Sequence, residues 1–168
     1  MPTHYKANDQ VTRALNTYIN LIRACDSVVA KASAQLQGAG MTLGQFAVLE
    51  ALQHLGPLCQ HELGKKLLRS GGNVTLVVDN LEKHGWVRRE RKKNDRRMVQ
   101  IHLTPKGARL IAKVFPDHAA VVTKIMSELT ATEQEELRRL AGKLGHGAEA
   151  LCLERLKREK DDDSDQTK

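Results

Sequence analysis

Aromatic side chains are scarce in this chain of 168 residues: two Phe, two Tyr and one Trp. Five such rings leave no material for an aromatic ligand cage. Cysteine is scarcer still. Cys25, Cys59 and Cys152 are too few and too scattered for a disulfide framework. No apolar run approaches the roughly 20 residues of a membrane helix. The opening MPTHYKANDQ lacks the apolar centre of a signal peptide, so a cytoplasmic protein without membrane contact is expected. Also missing are a Gly-rich phosphate loop, a metal quartet, and a nucleophile with a base at recognisable spacing. The expectation is therefore no enzyme, no cofactor and no metal. No internal repeat is visible.

What the chain does have is enough apolar residue for a core, 40%, and a length suited to one domain with an oligomerisation arm. Its net charge of +7 is unevenly spread. From Cys59 to Lys113 there are 14 Lys and Arg against 5 Asp and Glu, which leaves the remainder slightly acidic. A concentrated basic segment points to a polyanion partner.

Leu67 to Thr104, within that segment, carries the strongest pattern. Val74, Val77, Val78 and Leu81 fall on one helical stripe, and Gly85 stands where a helix C-terminus takes a residue of positive φ. Trp86 and Val87 open an extended run, and Asn94-Asp95 supplies turn chemistry. Val99, Ile101 and Leu103 then alternate with Met98, Gln100 and His102, which turns one face to a core and the other to water. A helix followed by a basic hairpin is the layout of a winged helix, a module that reads DNA.

The rest of the chain is organised around that piece. Val11, Leu15, Tyr18, Ile22, Cys25, Val29, Ala32 and Leu36 alternate spacings of four and three, a helical seam broad enough to pack on a partner subunit as well. Gly38 and Gly40 end it. Thr42 with Gln45 predicts a capping box for a second helix that buries Phe46, Leu49, Ala51, Leu52 and Leu55 and stops at Gly56-Pro57. A short third helix is expected over 60–68, with Ser70-Gly71-Gly72 as the turn and N-cap before the valine-striped helix. Leu103-Thr104-Pro105 reads as strand end, N-cap and first helical position. Pro116 then predicts a kink or break near 112–116. Thr130 with Glu133, and Thr132 with Glu135, offer overlapping capping boxes for a last helix, open to interruption at Gly145-His146-Gly147.

The expected fold is mainly α with a small β-hairpin wing. It comprises an N-terminal arm helix over 1–40, a winged helix-turn-helix over 41–108, C-terminal arm helices over 109–158, and a disordered tail over 159–168. The N- and C-terminal helices would form a dimerisation arm.

Glu62-Leu63, Val74-Thr75, Asp79, Leu81-Glu82, Gly85, Asp95-x-Arg97 and Leu103-Thr104-x-x-Gly107 together resemble the MarR/SlyA family of bacterial transcriptional regulators. The similarity runs from about Val11 to Leu144. It implies a homodimer joined by the first and last helices, a recognition helix in the major groove and a wing in the minor groove of double-stranded DNA. It also implies a repressor released by a small aromatic, often phenolic, effector lodged between arm and DNA-binding lobe. Many relatives carry a basic residue where this chain has Leu76, and often another at Asn80. Leu76 is thus expected to read a thymine methyl instead.

The face opposite the valine stripe holds Gly72, Thr75, Leu76, Asp79 and Lys83, flanked by Asn73 and Asn80. With Ser70 these are the expected helix contacts, Asp79 excepted: its carboxylate is repelled by phosphate unless an arginine holds it, and the sequence leaves that arginine open. In the hairpin Arg88, Arg89, Arg91, Lys92, Lys93, Arg96 and Arg97 suit the negative potential of a narrow minor groove. Arg88, Lys92, Lys93, Asp95, Arg96 and Arg97 are the expected wing contacts, Asp95 orienting Arg97 as the family motif implies. An edge charged only to block strand pairing accounts for lysines but not for five arginines.

Tyr18, Ile22, Phe46 and Leu49 are candidate effector-lining residues, and equally candidate core. Three other readings compete. His54, Cys59, His61 and Glu62 make a weak zinc signal. Cys25 allows a redox-sensing regulator, although the sensing position of peroxide-responsive relatives falls here at Tyr18 and a free cysteine is most often a buried, inert one. A non-specific architectural DNA-binding protein would share the wing without needing a patterned recognition helix.

Overall fold

A computed structural model describes residues 3–67, 71–91 and 98–165, apart from the side chains of 71, 72, 149 and 151–165. The elements run α1 (Asp9–Gly38), α2 (Leu43–Leu55), β1 (Leu58–Cys59), α3 (Gln60–Lys66), α4 (Gly71–Lys83), β2 (Val87–Arg91), β3 (Val99–Leu103), α5 (Pro105–Met126) and α6 (Ala131–Asp165). They fall into two compact units, Met1–Ile125 and Met126–Lys168.

In the first unit several helix ends are set by local chemistry. Asn8 caps α1 by accepting from the Val11 N–H at 3.0 Å. At the other end the Met41 N–H donates to the Leu36 carbonyl and the Gly40 N–H to that of Gln37, a Schellman stop that needs the φ of 71° at Gly40. The capping box of α2 is formed as expected: the Thr42 N–H donates to Gln45 Oε1 at 2.8 Å and the Gln45 N–H to Thr42 Oγ1 at 3.2 Å. Recognition helix α4 repeats the Schellman stop at Gly85, with the Trp86 N–H on the Leu81 carbonyl and the Gly85 N–H on that of Glu82.

One core joins these elements. Leu36, Met41, Phe46, Leu49, Leu52, Leu63, Val74, Val78, Leu81, Val87, Ile101, Ile111 and Val114 are all buried. The valine stripe of α4 is thus its inner face, and each such side chain contributes about 1.5–3 kcal/mol by leaving water. Of the α1 seam only Ala32 and Leu36 are buried; Val11, Tyr18, Ile22, Cys25 and Val29 are exposed.

β2 and β3 pair as the expected wing, and the two residues of β1 add a third antiparallel strand, Leu58 facing Ile101 and Cys59 facing Gln100, in the order β1-β3-β2. Other expectations need correction. α4 begins at Gly71, so Gly72 lies inside its first turn rather than in the preceding turn. α5 is unbroken through Pro116, because Ala112 and Pro116 are both exposed and water can satisfy the carbonyl that the proline leaves unpaired. In the second unit, the Thr130–Glu133 capping box is the one that forms, while Glu135 pairs with Arg138. α6 then runs through Gly145-His146-Gly147 and on to Asp165, through residues expected to be an interruption and a tail. Extending an existing helix adds a hydrogen bond for each residue fixed, and Glu, Lys and Arg are good helix formers. Leu137, Leu140 and Leu144 lie exposed along it.

Candidate nucleic-acid interface

The geometry of the site begins at the junction where α4 ends, β2 starts and α5 starts. The Thr104 N–H donates to the Trp86 carbonyl at 3.0 Å, and the Thr104 hydroxyl lies 2.8 Å from the Gly85 carbonyl and 3.1 Å from that of Trp86. The same Oγ1 accepts from the Gly107 N–H at 3.0 Å, capping α5. A β-carbon on Gly107 would stand 2.1 Å from the Trp86 oxygen, so only glycine fits. Lys106 Nζ adds a bond to the His84 carbonyl at 2.8 Å, and the His84 ring stacks on Trp86 with centroids 4.5 Å apart. The Leu-Thr-x-x-Gly motif is therefore the fastening that locks recognition helix, wing and α5 together.

On the outer face of α4, Leu76 is 63% exposed, and Asn73 and Lys83 are exposed with it. Two neighbours are engaged within the protein. Thr75 is half-buried and its Oγ1 accepts from the amide of Gln60, at the start of α3. The Asn80 amide donates to the Leu76 carbonyl of its own helix at 3.0 Å. Ser70, Lys92, Lys93, Asp95, Arg96 and Arg97 lie outside the described residues.

The wing arginines separate by the pleat of the strand. Arg88 pairs with Glu90, to which His102 Nε2 also comes within 3.7 Å. Arg91 is exposed. Arg89 points the other way, on the side of Val87, with Nη2 at 2.5 Å from Asp79 Oδ1 and Nη1 at 2.5 Å from Glu82 Oε2. Its main-chain N–H donates to Glu82 Oε1 at 2.9 Å. Burial works against the Arg89 charge, but the hydrogen bonds and charges of the two carboxylates outweigh it and raise its pKa. The arginine that holds Asp79 is thus Arg89, which leaves the expected row of groove-facing cations. Strict alternation after buried Val87 is the sequence signal that would have found it. Because β2 is also a sheet edge, its charges guard against strand pairing whatever else they do.

The candidate effector-lining residues differ in burial. Phe46 and Leu49 are buried core, whereas Tyr18 and Ile22 are exposed. Phe46 packs on the rings of Phe115 and His118, at 6.0 and 4.3 Å. A surface groove of about 350 Å³ between α1 and α5 is lined instead by Gln35, Leu110, Lys113, Val114 and Asp117 among others. Cys25 is an exposed free thiol rather than a buried one. Among the described residues no three His, Cys, Asp or Glu side chains gather to hold a metal, and no helix is long and apolar enough to cross a membrane.

The MarR family model matches residues 41–99, the segment from the end of α1 into the wing. The HTH-type transcriptional regulator YkoM of Bacillus subtilis is 38% identical over 145 residues, 86% of this chain and 94% of that protein. The transcriptional repressor MprA of Escherichia coli is 32% identical over 108 residues, 64% of this chain and 61% of that one. Among solved structures, Bordetella bronchiseptica BpsR, whose DNA binding is regulated by 6-hydroxynicotinic acid, superposes with a TM-score of 0.72 at 23% identity, covering 86% of this chain and 97% of its own. The chain belongs to the MarR family, and is a winged helix-turn-helix, DNA-binding regulator of transcription rather than an enzyme.

Proposed function

We propose that the protein is a ligand-responsive repressor that binds a palindromic operator as a homodimer. The observation that carries this reading is the exposed outer face of α4, with Leu76 uncovered, fastened beside an arginine-rich wing. In this reading Asn73, Thr75, Leu76, Asn80 and Lys83 meet base edges and backbone in the major groove, with Ser70 and Gly72 at the helix N-terminus. Arg88, Lys92, Lys93, Arg96 and Arg97, the last oriented by Asp95, meet the flanking backbone and minor groove.

Homodimerisation is supported by the uncovered seams: Val11, Tyr18, Ile22 and Val29 of α1, and Leu137, Leu140 and Leu144 of α6, are at least 39% exposed. Two-fold symmetry then asks for inverted half-sites with centres about 34 Å apart. Repression is supported by the name of MprA, and a small aromatic acid as effector by the behaviour of BpsR.

The test is a footprint on duplexes selected from a random pool, with and without salicylate and 6-hydroxynicotinate, beside sedimentation of the free protein. An inverted repeat, a dimer at micromolar concentration and weakened binding with an aromatic acid are expected. A single half-site or a direct repeat would refute the operator, a micromolar monomer the dimer, and indifference to every aromatic acid the induction model.

A further inference from the structure

Arg89 sits in the most basic stretch of the chain, yet its guanidinium is spent on two carboxylates of the recognition helix. Asp79 and Glu82 lie three residues apart on α4, so their side chains emerge on one side of it, and a planar guanidinium can serve both at once. The Arg89 main-chain N–H takes the second oxygen of Glu82, so strand as well as side chain is tied to the helix. Beyond the Gly85–Trp86 turn, this is a further connection between the helix that reads bases and the strand that carries the wing. It lies about a turn farther back along α4 than the fastening made by Thr104.

We propose that Arg89 is a positioning residue: with Asp79 and Glu82 it forms a strut that sets the angle between recognition helix and wing, and it makes no contact with DNA. The inference rests on the DNA-reading role proposed above and assigns its precision to a residue outside the reading set. The strut gives an acidic residue on the recognition helix a purpose. Asp79, which would otherwise repel phosphate, strengthens operator binding by holding Arg89 in place.

Simple electrostatics predicts the opposite signs, and that makes the test sharp. The full chain and its variants are titrated with the duplex selected by the wild type and with a random duplex of equal length, across a salt series. Under the strut, Arg89→Gln and Asp79→Asn each weaken binding to the selected duplex by about fivefold or more, and the double variant is no worse than Arg89→Gln alone. Random-duplex binding moves less than about threefold, and the log–log salt slope of Arg89→Gln stays at the wild-type value, since no phosphate contact is lost. Arg89→Lys fails to restore discrimination, because an ammonium cannot span two carboxylates in the same plane.

If Arg89 is instead a phosphate contact, Arg89→Gln lowers the slope by about 0.9 on both duplexes, Asp79→Asn tightens binding, and Arg89→Lys retains most of the affinity. Any of those three results overturns the proposal. Should Arg89→Gln fail to fold, as read by its thermal transition, Asp79→Asn and Arg89→Lys decide the matter by themselves. A wild type that selects no sequence defeats the operator reading, not the strut. The salt slope of Arg89→Gln on random duplex, or the random-duplex affinity of Asp79→Asn if that variant does not fold, then decides for or against Arg89 as a contact.

Discussion

Gly107→Ala is the smallest change with the largest expected effect. The added methyl would lie 2.1 Å from the Trp86 oxygen and 2.9 Å from both the Trp86 carbonyl carbon and Leu103 Cδ1. Carbon and oxygen need roughly 3.2 Å or more, so backbone must move by about 1 Å, and a backbone group cannot swing aside as a long side chain does. The carbonyl that must move is held by the Thr104 N–H and lies beside the Thr104 hydroxyl, the same hydroxyl that caps α5. Overpacking costs about 1–3 kcal/mol. Disturbing the cap adds about 1, and a weakened buried hydrogen bond about 1 more. A loss of about 3–5 kcal/mol is then a large part of the 5–15 typical of a domain. The transition temperature should fall by roughly 6–20 °C, at 2–4 °C per kcal/mol.

The assay is urea unfolding at fixed protein concentration, followed through Trp86, the one tryptophan of the chain, which reports from the junction itself. Gly142→Ala serves as the control, since nothing lies within 4 Å of its added methyl and the position is helical. It should be neutral or stabilising by up to about 1 kcal/mol. If Gly107→Ala unfolds within about 1 kcal/mol of the wild type, the close packing at Trp86 is not what fastens the lobe.

Other outcomes follow from the same geometry. Leu76→Ala should cost about 1–3 kcal/mol at the selected operator and nothing on random DNA, with the salt slope unchanged; equal losses on both would remove Leu76 from base reading. Arg97→Ala should weaken both duplexes by a similar factor and make the slope shallower by about one unit; a loss confined to the operator would assign it a reading role. His118 gives a pH dependence. Burial lowers its pKa, and its Nδ1 finds no partner among the described residues. The unfolded chain therefore binds a proton first as pH falls below the ordinary value of about 6.5, and stability declines until the pH passes the lowered value. The urea midpoint of His118→Asn should vary less with pH across that window, and an unaltered slope would discount the group.

The helices were legible because their signals are local. The Thr42 and Thr104 caps, the glycine stops at 40 and 85 and the valine stripe each depend on residues within a turn or two. What escaped depends on pairing across the chain. β1 is two residues long and exists only because Leu58 and Cys59 find Ile101 and Gln100. Arg89 resembles its neighbours in composition and differs only in which side of the pleat it occupies and what waits there. Thr75 looked free until Gln60, fifteen positions earlier, was brought beside it. The burial of the candidate effector lining escaped for a related reason: a helical stripe does not say what covers it, and Phe46 is buried while Tyr18 is exposed.

The way α1 is held has a mechanical consequence. Ala32 and Leu36 are its only fully buried residues, so residues 9–31 extend from that root over about 35 Å at 1.5 Å per residue. Rotation of about 5° at that root sweeps the N-terminal end through roughly 3 Å, and the converse holds for a force applied at the tip. Whatever grips the far end of α1 therefore works with a long moment arm. A contact of modest strength there can re-aim the reading head without touching it.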